Sequence, residues 1–191
     1  MYYPTAFAEA TPHKIAFKMI GSGEEVTFKQ LEERSNQAAQ LFRACGLRQG
    51  DHIVILMENN RHFLEVCFGA DRAGLYYTAI NTHLLAHEAE YIARDCGAKL
   101  AVISQKYKDT ANVLRKNVDA IGRWFSVGGG IEGYDDWDTF AGRQSTTPIS
   151  DELQGLDMLY SSGTTGRPKG AMITNANLMF QIASVPQYAK L

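Results

Sequence analysis

The amino-acid sequence predicts an α/β protein, a parallel sheet flanked by helices, and three observations carry that expectation. Short apolar runs rich in β-branched residues recur along the chain, the segments between them place apolar residues at helical spacing, and the connections are short and carry Gly, Asn or Asp. Alternation of this kind implies parallel strands joined by right-handed crossovers.

The first helix is the best marked. Phe28, Leu31, Ser35, Ala38, Phe42 and Cys45 recur at intervals of three and four, Thr27 and Gln30 form a capping box ahead of them, and Gly46 supplies a stop. One polar gap, Ser35, interrupts the stripe. After the turn "RQGD", the run "HIVILM" reads as a strand buried on both faces. Phe63, Leu64, Cys67 and Phe68 predict a helix that opens after Asn59 and Asn60 and closes near Gly74. "LYYTAI" predicts a strand, Leu85, Ala89, Ile92 and Cys96 a helical stripe, and "KLAVIS" a further strand. Tyr107, Ala111, Leu114 and Val118 then mark a helix, and "RWFSV" another strand.

The composition shifts at Gly128. Residues 1–127 read as an N-terminal α/β lobe, 128–155 as a surface excursion with one short helix around Tyr134 to Ala141, and 156–191 as a strand, loop, strand and helix. In the last segment Leu156 to Tyr160 and Gly170 to Ile173 read as strands. Thr174 caps a helix carrying Leu178, Ile182 and Val185.

Bulk properties exclude several classes of function. With 19 basic against 21 acidic side chains the net charge is −2, so no global field attracts nucleic acid or an anionic membrane. No leader-like start and no long apolar run is present, and a cytoplasmic protein is expected. Cys45, Cys67 and Cys96 are odd in number and irregularly spaced, which suits buried thiols rather than disulfides or a metal motif. His83 and His87 stand four apart with Asp95 nearby, but a dedicated third ligand is missing. No metal ligand is therefore assigned. Gly128, Gly130 and Gly133 satisfy G-x-G-x-x-G after a strand, yet no long helix opens at the third glycine, so they read as a flexible loop. Asp135, Asp136 and Asp138 suit a solvated helix start.

One stretch, "YSSGTTGRPKGAM", calls for more. From Ser161 to Gly170 it holds three glycines, two serines, two threonines, a proline, an arginine and a lysine, and it hangs between two strands. Glycines let backbone N–H groups converge, small hydroxyls add donors without bulk, and Lys169 brings a full charge, which together are the parts of a polyphosphate cradle. It is not the Walker loop: counting from Gly163, Pro168 takes the position before the lysine and Gly170 follows it. By composition alone a flexible connector remains an open alternative.

In order and length "YSSGTTGRPKG" resembles the signature loop of the adenylate-forming superfamily, [ST]-S-G-[ST]-T-G-x-P-K-G, which serves acyl-CoA synthetases, aryl-acid ligases, luciferases and peptide-synthetase adenylation domains. The stretch from "VTFKQLEERSNQ" to "CGAKLAVIS" is similar throughout to the first part of family members, and "YYTAINTHLLAHEAEYIARDCGAK" leans toward acyl-CoA synthetases. The resemblance implies the incomplete N-terminal portion of that fold. It implies that Ser161, Ser162, Gly163, Thr164, Thr165, Gly166 and Lys169 hold the β- and γ-phosphates of ATP with Mg²⁺ while a carboxylate, here expected to be a fatty acid, attacks the α-phosphorus. Lys169 is the catalytic candidate, and CoA the thiol acceptor of the acyl group.

Where the family commonly shows Thr-His-x-Asn after the loop, "ITNANL" has Asn175 in the place of the histidine. Family members run to roughly three times this length, so their later subdomains and C-terminal domain have no counterpart here. These 191 residues are accordingly expected to be inactive alone and to bind ATP weakly. Two other readings stay open at this point: a naturally short nucleotide-sensing or interaction module, and a peptide-synthetase type of adenylation domain. The oligomeric state is not readable.

Overall fold

The structure, a computed structural model, describes residues 3–161, 167–174, 176–177, 179–180 and 184. In chain order the elements are α1 (Thr5–Ala10), β1 (Ile15–Lys18), β2 (Glu25–Thr27), α2 (Phe28–Ala44), β3 (His52–Leu56), α3 (Arg61–Arg72), β4 (Tyr76–Ala79), α4 (Ala86–Asp95), β5 (Ala98–Ser104), α5 (Lys108–Asn117), β6 (Arg123–Val127), β7 (Asp135–Asp136), α6 (Trp137–Gly142), β8 (Leu156–Ser161) and β9 (Lys169–Ile173).

Seven of the strands form one sheet in the order β7-β6-β5-β3-β4-β8-β9, and β1 and β2 make a separate antiparallel pair. Every neighbouring pair from β7 to β8 is parallel, and β9 runs antiparallel to β8 at the edge. Alternation explains why the central strands are apolar throughout. On β3, Ile53 and Ile55 enter one cluster with Phe42, Val66 and Trp137, while Val54 and Leu56 enter a second with Ile92 and Leu114 on the other face. Helices α2, α3 and α6 therefore cover one side, and α4 and α5 the other.

The cap expected for α2 is present. Gln30 N donates to Thr27 Oγ1 at 3.3 Å and Thr27 N to Gln30 Oε1 at 2.9 Å, which satisfies two of the amides that a helix start leaves unpaired. The polar gap has a partner: Ser35, fully buried, donates from Oγ to the Glu32 carbonyl at 2.9 Å and accepts from Arg72 Nε at 3.1 Å. Arg72 itself is 1% exposed. Its guanidinium also meets Glu32, Glu152 and Thr5 and lies 4.6 Å from the centroid of the Tyr3 ring.

Four expectations need correction. The buried face of α3 carries His62, Glu65, Val66, Cys67, Gly69, Ala70 and Arg72, whereas Phe63, Leu64 and Phe68 are only partly covered. Leu85 is 63% exposed and precedes α4 instead of joining its stripe. The short helix runs from Trp137 to Gly142, because Asp135 and Asp136 pair with β6 first. Finally, within 128–155, Ile131, Trp137 and Ile149 are buried, so part of that segment enters the core. Cys67 and Cys96 are buried free thiols as expected, while Cys45 is half-buried.

Candidate nucleotide-phosphate site

The candidate loop leaves the sheet at the carboxyl end of β8, the side on which parallel α/β sheets generally place their ligands. β8 and β9 pair in a register that sets Ser161 opposite Lys169, so the hydroxyl and the ammonium enter and leave the loop side by side on one face. Both residues are exposed. Of the seven candidate residues, the structure brings these two together. Ser162, Gly163, Thr164, Thr165 and Gly166 lie outside the described residues, as do Asn175, Leu178, Ile182 and Val185. The helix start after β9 is capped as expected, with Asn177 N donating to Thr174 Oγ1 at 3.2 Å and Thr174 N to Asn177 Oδ1 at 3.1 Å.

Gly170 has a packing reason to be glycine. A Cβ there would overlap the Met158 methyl and come within 3.0 Å of the Tyr160 ring, which lies across from it in the β8–β9 pairing. Tyr160 in turn donates its hydroxyl to Asp95 Oδ2 at 2.7 Å. Burial, then the bond to Asp95, pushes the phenol above its ordinary range. Sequence reasoning set Asp95 beside His83 and His87 as a possible ligand, but its carboxylate belongs to Tyr160. Tyr91, which meets Arg167 on the returning stem, carried no sequence signal of its own, and nothing in the sequence tied Asp95 to Tyr160.

Among the described residues one group has the makings of a metal site: His62, Glu65 and Asp138. Glu65 Oε1 is already occupied, accepting from Trp137 Nε1 at 2.9 Å and lying 2.7 Å from His62 Nδ1. Two guanidiniums attend the same carboxylates, Arg34 at 3.9 Å from Glu65 and Arg61 at 2.9 Å from Asp138. Burial pushes the Glu65 carboxyl up, but His62, Trp137 and Arg34 outweigh it and hold the group below its usual range. A cation would have to displace these partners, and the cluster reads as a satisfied network, buried at His62 and Glu65 and open to solvent at Asp138. Of the neighbouring aspartates, Asp136 stands at a helix start as the sequence suggests, while Asp135 pairs with β6 and Asp138 with Arg61. Asp136 accepts from Thr139 N at 2.8 Å and caps α6, and its bonds to Thr139 hold its carboxyl low. Gly128 and Gly133 have φ of 72° and 76°, and the next element in the chain is the two-residue β7, not the helix a dinucleotide fingerprint needs.

Set against known proteins, residues 5–191 match the family model described as AMP-binding enzyme. The chain belongs to that family. It is 30% identical over 188 residues to a feruloyl-CoA synthase of an Amycolatopsis species, covering 96% of this chain and 35% of that protein. It is 29% identical over 171 residues to a crotonobetaine/carnitine–CoA ligase of Salmonella typhimurium, covering 84% and 32%. A solved anthranilate CoA ligase in complex with anthranoyl-AMP superposes with a TM-score of 0.83 at 26% identity, over 96% of this chain and 37% of that one. The chain thus spans about a third of the length of the curated relatives it matches. Its fold is that of the N-terminal part of adenylate-forming enzymes. Among the described residues of this AMP-binding family member, no helix is long and apolar enough to cross a membrane.

Proposed function

We propose that the protein supplies the phosphate-holding lobe of an ATP-dependent acid–thiol ligase that joins a carboxylic acid to CoA through an acyl-adenylate. The observation that carries this reading is the placement of Ser161 and Lys169 opposite one another at the carboxyl end of β8, in a chain of the AMP-binding family. In the proposed reaction a substrate carboxylate oxygen forms a bond to the α-phosphorus of ATP as the bond to the β-phosphate bridge breaks, and pyrophosphate leaves. The thiol sulfur of CoA then bonds to the acyl carbon, and AMP departs.

The role of this chain is electrostatic. Ser161, Ser162, Gly163, Thr164, Thr165, Gly166 and Lys169 are proposed to surround the β- and γ-phosphates, where negative charge grows as pyrophosphate leaves. Donors fixed in advance, with one ammonium among them, stabilise that charge without reorganising during the step. For Mg²⁺ the described residues beside the loop offer no free carboxylate, since Asp95 is engaged by Tyr160. No step of the proposed reaction is routed through the metal. The sequence suggested a fatty acid, but the relatives are named for feruloyl, crotonobetaine/carnitine and anthranilate substrates. The substrate is accordingly proposed only as a carboxylic acid. The 191 residues alone are proposed to be inactive, because groups that position adenosine and acid would come from the length the relatives have in excess.

Acid-dependent exchange between ATP and pyrophosphate tests the reading. Lys169→Met in the intact ligase should lower the exchange rate about 10²- to 10³-fold, the scale of losing one preorganised charge partner of the transition state. Exchange undiminished by this substitution would remove Lys169 from the chemistry and the proposal with it.

A further inference from the structure

The end of β8 that leads into the loop extends beyond its support in the sheet. β8 pairs with β4 only at Leu156 and Asp157, so from Met158 to Ser161 its strand neighbour among the described residues is β9, and β9 is the edge. A two-stranded ribbon is marginal in water by itself. Something other than backbone pairing must fix where its loop-bearing end stands.

One face of α4 does so. Tyr91 and Asp95 are four residues apart and share that face, and the Tyr91 hydroxyl lies 3.4 Å from Asp95 Oδ1. Asp95 Oδ2 receives the Tyr160 hydroxyl at 2.7 Å, one residue before Ser161. On the returning stem the guanidinium carbon of Arg167 stands 6.0 Å from the centroid of the Tyr91 ring, two residues before Lys169. The ring of Tyr160 crosses to β9 over Gly170, where no side chain obstructs it, and packs with Met158 against the apolar cluster beneath α4. Both stems thereby meet a single helix, one through a hydrogen bond to a carboxylate and the other through an exposed guanidinium at the outer reach of a cation–π contact.

We propose that Tyr91 and Asp95 are positioning residues that hold the two stems of the β8–β9 loop on α4 and so set where Ser161 and Lys169 stand. The inference rests on reading that loop as the phosphate site. Neither residue touches the nucleotide; each acts through Tyr160 or Arg167.

Asp95→Ala and Tyr160→Phe remove the same hydrogen bond from opposite sides. In the intact enzyme each should raise KM for ATP about fivefold and also lower kcat, because the displaced stems carry Ser161 and Lys169 away from phosphates that the loop holds in the ground state and whose charge grows in the transition state. The double variant should be no worse than Asp95→Ala alone, since Tyr160→Phe removes only a contact that Asp95→Ala has already removed. Asp95→Asn keeps a carbonyl acceptor and should restore most of the affinity. Thermal midpoints should stay level across the set. An unmoved KM, additive effects, an Asn variant no better than Ala, or losses that track the thermal midpoint would each overturn the proposal. A second readout stands apart from catalysis: the carbon-13 resonance of Tyr160 Cζ should move in Asp95→Ala and stay near its place in Asp95→Asn. A motionless resonance ends the clamp. If the resonance moves while the wild type exchanges no pyrophosphate with any acid, the clamp holds and the phosphate-site reading fails.

Discussion

Burial pushes the carboxyl of Asp71 up to about 7, and the charge on Asp157 pushes it the same way. Asp157 is itself raised by burial, and its Oδ1 is buried without a hydrogen-bond partner. The consequence for stability has a definite sign. Below about pH 4, the ordinary range of an aspartate, folded and unfolded chains both carry the proton on residue 71. Between there and about 7 the folded chain keeps the proton and the unfolded chain loses it, so stability falls as the pH rises through that window. Asp71→Asn removes the titration. Urea midpoints taken near the two ends of the window should fall less with rising pH in the variant than in the wild type; equal falls would show that other groups carry the dependence. Little in the sequence around Asp71 announces this, because part of what packs beside it comes from chain more than 80 positions away, where Gly155 N bonds to the Asp71 carbonyl at 2.7 Å. Asp95 teaches the same lesson. Its residue type invited a guess at a ligand, and its partner Tyr160 lies 65 positions on.

At the level of elements, the contact between α2 and α3 turns on one missing side chain. A Cβ at Gly69 would overlap that of Ala38 and press to 3.1 Å of the Ala39 amide nitrogen. Gly69 has no positive φ, so helix propensity alone would favour alanine there. Overlap with backbone should dominate, since neither helix can yield locally. Gly69→Ala is expected to destabilise the protein by about 1–3 kcal/mol, the usual cost of overpacking. A chemical denaturation curve decides it, and a variant as stable as the wild type would mean that the helices slide apart freely. Helices and strands with a regular stripe, such as α2 and β3, were legible because their periodicity is set locally by which face meets the core. α3 misled for a physical reason. Its inner face is polar where it carries His62, Glu65 and Arg72, of which Glu65 and Arg72 are satisfied by distant partners and His62 by Glu65 three residues on, so the apolar stripe pointed to the wrong side.

Across the whole molecule, the alternation of strands and helices foretold the parallel sheet, and the composition of the loop with its resemblance foretold the family. Strand order, the antiparallel edge at β9 and the descent of Trp137 into the core were not foretold, since each depends on pairing between segments far apart in the chain. Of the candidate site, the loop residues could be named from sequence, but the helix that carries the loop could not. Arg72 gathers several such long-range pairings in one side chain. Its partners Ser35, Glu32, Thr5 and Glu152 stand 37, 40, 67 and 80 positions away. Replacing a buried, paired arginine by methionine strands the opposing carboxylates, and Arg72→Met should cost about 3–5 kcal/mol. Contacts of such long range are expected to close after the sheet has assembled, so most of that loss should appear as faster unfolding, with refolding in stopped-flow mixing little changed. A matching slowdown of refolding would contradict this order of events. The guanidinium thus acts as a latch on the finished fold, governing how long it lasts more than how quickly it forms.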